Sequence, residues 1–147
     1  MSHLPDRTKT LNELDPPAWG EPEYLSHLVT TCYRLRDKPI GEFEVGDLRI
    51  MICQNMGLKW LVPIALEVLE QEPFVLGDFY PGDLLICVLV IKPEFWTQRK
   101  VLQGRMQQII DHLPPTEELW SSDIEDLLSR AVKAFESGHA FDWRTQS

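Results

Sequence analysis

Residues 84–91, LLICVLVI, are eight consecutive apolar residues with no polar face. An element that is apolar all round has to be covered all round, so the rest of the chain must fold about this segment. Its β-branched residues are those of a strand. Its setting is that of a helix: Pro81 suits a first helical position, and Asp83 then falls in the first turn, near the positive end of the helix dipole. The setting favours a central buried helix. The run is too short to span a bilayer.

The other apolar residues recur at three and four positions, the period of a helix with one buried face. The spacing predicts a first helix over about 22–36, with Leu25, Leu28, Val29, Cys32 and Leu35 inward and Arg34 and Arg36 at its negative end. A second covers about 45–56, with Gly57 placed as its left-handed cap. A third follows at once with Pro63 in its first turn, where a missing N–H costs little. After the central segment, a fifth spans about 95–112 and ends at His112. SSDIEDLL then reads as a capping box, Ser122 with Glu125 three residues on, opening a sixth helix. No pair of alternating runs joined by a two-residue hairpin turn is present. The expected fold is all-α, a bundle of about six helices over 19–147. Residues 1–18 form a polar arm, ordered where Leu11, Leu14 or Trp19 docks.

The 147 residues suit one domain. With 23 acidic against 14 basic residues, the formal net charge is -9. Direct binding to a phosphate backbone needs the opposite sign. A basic protein partner suits it. The three cysteines, Cys32, Cys53 and Cys87, each lie in an apolar stretch and form no CxxC pair. They read as small buried hydrophobes in a reducing compartment. The first ten residues are polar and do not read as a signal peptide. The expected location is the cytoplasm.

Few patterns carry chemistry. There is no GxxxxGK[ST] phosphate loop, no GxGxxG after a strand and no GxSxG elbow. His3, His27, His112 and His139 show no metal-ligand spacing. Trp60 and Trp120 sit at element edges and read as packing or partner contacts. Asp78 and Asp83 flank a Tyr-Pro-Gly turn. A catalytic pair needs a network that separates the two pKa values, and no His, Lys or Arg lies between Gln71 and Ile91. The structural reading is preferred: Asp78 shapes the turn and Asp83 satisfies free N–H groups at a helix start. Glu42, Glu44 and Asp47 cluster before the second helix. Glu117, Glu118, Asp123, Glu125 and Asp126 cluster at the start of the sixth. For any one of them a solvated face or a helix-start bias is the simpler account. As clusters they fit a recognition surface for a basic partner.

Three stretches, WGEPEYLSHLVTTCYRLRDKPIGEF, DLRIMICQNMGLKWLVPIALEVLE and GDFYPGDLL, taken in that order, resemble the immunity proteins of bacterial contact-dependent growth inhibition (CDI) systems. The resemblance covers about 19–89 and contains no catalytic motif. It implies a cytoplasmic protein, without cofactor or enzymatic activity, that binds the C-terminal toxin domain of a large secreted effector. Binding would block the toxin's active site or its access to substrate. Many such toxins are basic nucleases, which an acidic inhibitor would suit. The expected partner-binding residues are Glu117, Glu118, Asp123 and Asp126, then Glu42, Glu44, Asp47 and Asp78. The alternatives are an adaptor for another basic protein and a small hydrolase using a buried cysteine or the Asp78/Asp83 pair. No contact with nucleic acid or membrane is expected.

Overall fold

The computed structural model describes residues 7–14, 27–115 and 122–141, with Ser122 described by its backbone alone. Among them are eight α-helices: α1 (Leu11–Leu14), α2 (His27–Leu35), α3 (Val45–Cys53), α4 (Leu58–Gln71), α5 (Asp83–Leu89), α6 (Pro93–Thr97), α7 (Lys100–Asp111) and α8 (Ser122–Ser137). A 3-10 turn at Ile40–Glu42 joins α2 to α3. There is no strand among these residues, only the isolated bridges Thr10 to Pro39 and Leu76 to Pro81. The fold is all-α.

The apolar run folds as a helix, as expected, but the helix starts at Asp83 with Gly82 as its N-cap, so Pro81 lies before it rather than at its first position. Every residue of α5 is buried, and α3, α4 and α8 pack against it. Leu84, Leu85 and Val88 are fully inaccessible. Burying a leucine or valine side chain contributes about 1.5–3 kcal/mol, so this one short helix supplies a large part of the driving force. Helix α8 brings Leu128, Ala131 and Phe135 to the core, and α4 brings Leu61, Val62, Leu66 and Leu69.

Several boundaries differ from the sequence expectation, each for a local reason. The helix expected over 95–112 is two helices, because Arg99 adopts φ −138 and ψ 67 between α6 and α7. The short α6 thereby turns Trp96 into the core, edge-on to Phe95 and Phe135 at 5.2 Å each. Pro63 lies in the interior of α4, not its first turn. It removes the hydrogen bond that residue 63 would make to the Lys59 carbonyl. Gly57 caps the start of α4 rather than the end of α3. Its φ of +65 favours glycine, and a Cβ there would lie 2.9 Å from both Leu11 methyl groups. The capping-box role expected of Ser122 falls on a side chain outside the described residues, as do Trp19, Trp120 and residues 22–26.

Residues 7–14 are tied to the bundle. The N–H groups of Ile40 and Gly41 donate to the carbonyls of Lys9 and Arg7. Leu11 is fully buried. Arg36, expected at the helix end for its charge, is 2% exposed. Its Nε donates to Asn12 Oδ1 at 2.8 Å, and the Asn12 N–H donates back to the Arg36 carbonyl. Arg7 also pairs with Glu67.

The cysteine expectation is corrected. Cys53 at the end of α3 and Cys87 in α5 are joined as a disulfide, with Cα atoms 5.3 Å apart. Sequence spacing does not reveal this, because the two residues meet only when α3 packs on α5. Cys32 is the free thiol, buried in α2. Burial pushes its pKa up, which makes it a poor nucleophile.

Candidate functional site

The turn around Asp78 and Asp83 gathers a buried carboxylate, three backbone donors and an arginine. Gly82, at φ +93, is the N-cap of α5 and starts the helix at Asp83. The Asp83 carboxylate does not satisfy its own helix start, as the sequence suggested. It turns back into the loop: the Gly77 N–H donates to Oδ1 at 2.7 Å, and the Asp78 and Phe79 N–H groups donate to Oδ2 at 2.8 and 2.9 Å. The carboxylate is 2% exposed. Gly77 is required by this close approach, since a Cβ there would sit 2.6 Å from Asp83 Oδ1.

The cation absent from the local sequence comes from α3. Arg49 Nε donates to Asp78 Oδ2 at 2.8 Å and stands 3.8 Å from Asp83 Oδ2. Its guanidinium lies over the Phe79 ring, 4.5 Å from the centroid. Three residues earlier on the same helix, Gly46 lets the loop approach, for a Cβ there would come within 2.7 Å of Asp78 Oδ1. Gly46 and Arg49 share a face by their spacing of three. That spacing was the one available sequence signal, and a search confined to the loop misses it. Tyr80 follows in the loop; burial, then the Asp83 charge, raises its pKa, with Arg49 opposing.

As chemistry, this arrangement is a clamp. Asp83 is saturated with donors and shielded from solvent. Asp78 is accessible but engaged with Arg49. Beside them opens a cleft of about 400 Å³, lined by His27, Leu28, Thr31, Arg49, Ile50, Asp78 and Phe79. Phe79 is 72% exposed and Leu28 44%.

The second acidic cluster adjoins the first through Gly46. Glu44 is the N-cap of α3, in a reciprocal capping box with Asp47. Asp47 also accepts from Lys38 Nζ at 2.8 Å, a hydrogen bond that raises the lysine pKa. Glu44 and Asp47 thus hold local structure, while Glu42 is exposed in the 3-10 turn. In the third cluster, Asp123 and Asp126 are exposed on the first turns of α8. Asp126 pairs with Arg130 one turn on, at 3.1 Å. Glu117 and Glu118 lie outside the described residues. His112 caps the end of α7, where its Nδ1 and the Gln108 carbonyl are 2.8 Å apart. Among the described residues, no group of three or more His, Cys, Asp or Glu side chains is placed to hold a metal ion, and no helix is long and apolar enough to cross a membrane.

No curated protein matches the chain. The model of the family described as CDI immunity proteins matches residues 13–106. The match takes in α2 to α6 and most of α7, hence the clamp and its cleft, and stops short of the acidic turns of α8. The residues from Arg49 to Asp83 therefore lie within a member of the CDI immunity protein family, to which this chain belongs.

Proposed function

We propose that this immunity protein is a non-catalytic inhibitor that works in the cytoplasm and binds the C-terminal toxin domain of a large CDI effector. It closes the toxin's active site or its path to substrate, and the toxin is a basic nuclease. Family membership carries the inhibitor reading, and the net charge of -9 supports a basic target. Charge complementarity speeds encounter, and salt screens that gain. The exposed Asp123 and Asp126, with Glu117 and Glu118, supply this steering. Glu42, Glu44, Asp47 and Asp78 form the second acidic face. A cellular inhibitor must hold its toxin at low concentration, which needs a Kd on the order of nanomolar, about -12 kcal/mol.

The test is association of the purified chain with the toxin domain encoded beside it, followed across a salt series. The expected result is a nanomolar complex whose association slows as salt rises. Fast, salt-independent association would remove the basic target. Tight capture of an unrelated basic protein, with none of the toxin domain, would make the chain an adaptor.

A further inference from the structure

We propose that the cleft between α2, α3 and the 77–79 loop is the anchor of the toxin interface. Phe79 is its central contact, and a cationic side chain of the toxin, arginine or lysine, is its occupant. This rests on the reading of the chain as an inhibitor of a basic toxin domain.

The first observation is a contrast between the Phe79 backbone and its ring. The backbone is fixed: its N–H is one of three held by the buried Asp83 carboxylate. The ring is 72% exposed. Folding alone gains little from placing a phenylalanine there, whereas a partner gains an aromatic contact whose ordering cost is already met. Leu28 and Ile50 line the same cleft beside His27, Thr31, Arg49 and Asp78, which gives it apolar contact area together with polar groups that can orient an occupant.

The occupant follows from charge. Arg49 faces two carboxylates, Asp78 at 2.8 Å and Asp83 at 3.8 Å. The trio is therefore one negative charge in excess, and an anion is disfavoured. Arg49 covers part of the Phe79 ring, and most of the ring stays open to solvent. An incoming guanidinium or ammonium group gains from that ring and reaches the Asp78 carboxylate, which is 39% exposed. The same sign holds over the whole chain, at -9.

The experiment titrates the toxin domain encoded beside this chain against wild type, Phe79→Ala, Asp78→Asn and a control, Val101→Ala. Val101 is 79% exposed on α7, outside the cleft. Phe79→Ala should weaken binding about thirtyfold or more, the size of a hot-spot residue, through faster dissociation. Asp78→Asn should weaken it several-fold, and Val101→Ala less than about twofold. Melting temperatures of the Phe79 and Val101 variants should match wild type. Wild-type binding with Phe79→Ala unchanged overturns the anchor and leaves the inhibitor reading standing. Loss on Phe79→Ala with no effect of Asp78→Asn overturns the cationic occupant. No binding by wild type removes the inhibitor reading, and the anchor with it. Self-association of the chain that Phe79→Ala abolishes, seen by sedimentation, makes a second copy the occupant and overturns the proposal.

Discussion

The 77–83 loop and the first turns of α8 are both acidic, and they use their carboxylates in opposite ways. Asp83 is 2% exposed and is spent on three backbone donors. Asp126 is 62% exposed and, among the described residues, pairs with an arginine one turn along its own helix. The first charge fixes a loop and is unavailable to a partner. The second holds little structure and is free to act at a distance. Acidity in a sequence therefore says nothing about use until burial and donors are known.

The sharpest way to break this contrast is Asp83→Ala. Three backbone N–H groups would lose their acceptor, and Arg49 would lose one of its two carboxylates. Removing one side of a buried charged arrangement costs about 3–5 kcal/mol, well above the ~1 kcal/mol of an ordinary helix cap. Asp83→Asn should recover part of the loss by keeping one carbonyl oxygen. Urea denaturation measures both. A loss near 1 kcal/mol would mean water replaces the carboxylate easily, and the loop would no longer count as fixed.

The disulfide gives the next effect. It closes a separation of 34 residues and holds α3, which carries Arg49, to α5, which carries Asp83. The chain-entropy account gives about 3–4 kcal/mol for such a loop. Unfolding with and without reductant should differ by roughly that amount, and Cys53→Ala should abolish the difference. Equal stability in both conditions would show that the two thiols contribute only as packed groups.

How much of this the sequence disclosed depends on the range of the interaction. The central helix was legible because an eight-residue apolar run has one solution in an all-α chain. Caps and breaks were less so: Gly57 serves the helix after it, and Arg99 interrupts a periodic stretch to seat Trp96. The Cys53–Cys87 contact and the Arg49–Asp78 pair were not legible, since each joins positions 34 and 29 residues apart through packing. Of the residues in the proposed anchor, Asp78 draws notice in the sequence for its carboxylate, while Phe79, its more exposed neighbour, does not. Nothing in a motif reports how far a ring stands out of a surface.

At the other pole, changing Glu117, Glu118, Asp123 and Asp126 together to their amides should leave stability nearly intact. The helix-start contribution of Asp123 and the Asp126–Arg130 pair together amount to about 1 kcal/mol. Association with the toxin domain should slow, and its salt dependence should flatten. A wild-type rate at every salt concentration would make this a solvated face and move steering to Glu42, Glu44, Asp47 or Asp78.

The smallest effect belongs to a carboxylate between the two extremes. Glu70 on α4 accepts two hydrogen bonds from Arg105 on α7, at 2.8 and 3.1 Å, with its side chain 38% exposed. The Arg105 hydrogen bond holds its pKa below the ordinary 4.5, against a smaller opposing effect of burial. A carboxyl whose pKa is lowered by folding adds stability above the unfolded value, and that stability is lost as pH falls through the folded one. The contribution is therefore complete at neutral pH, begins to fade below about 4.5, and is gone under stronger acid. Solvent screens a pair this exposed, so its size should be about 0.5 kcal/mol. The measurement is the stability difference between wild type and Glu70→Gln at pH 7 and through the acid range. That difference should shrink toward zero as pH falls, and shrink further at high salt. If it instead persists in acid, Glu70 holds α4 to α7 by shape rather than charge. A difference of several kcal/mol at pH 7 would place Glu70 with Asp83, among the carboxylates that fix structure.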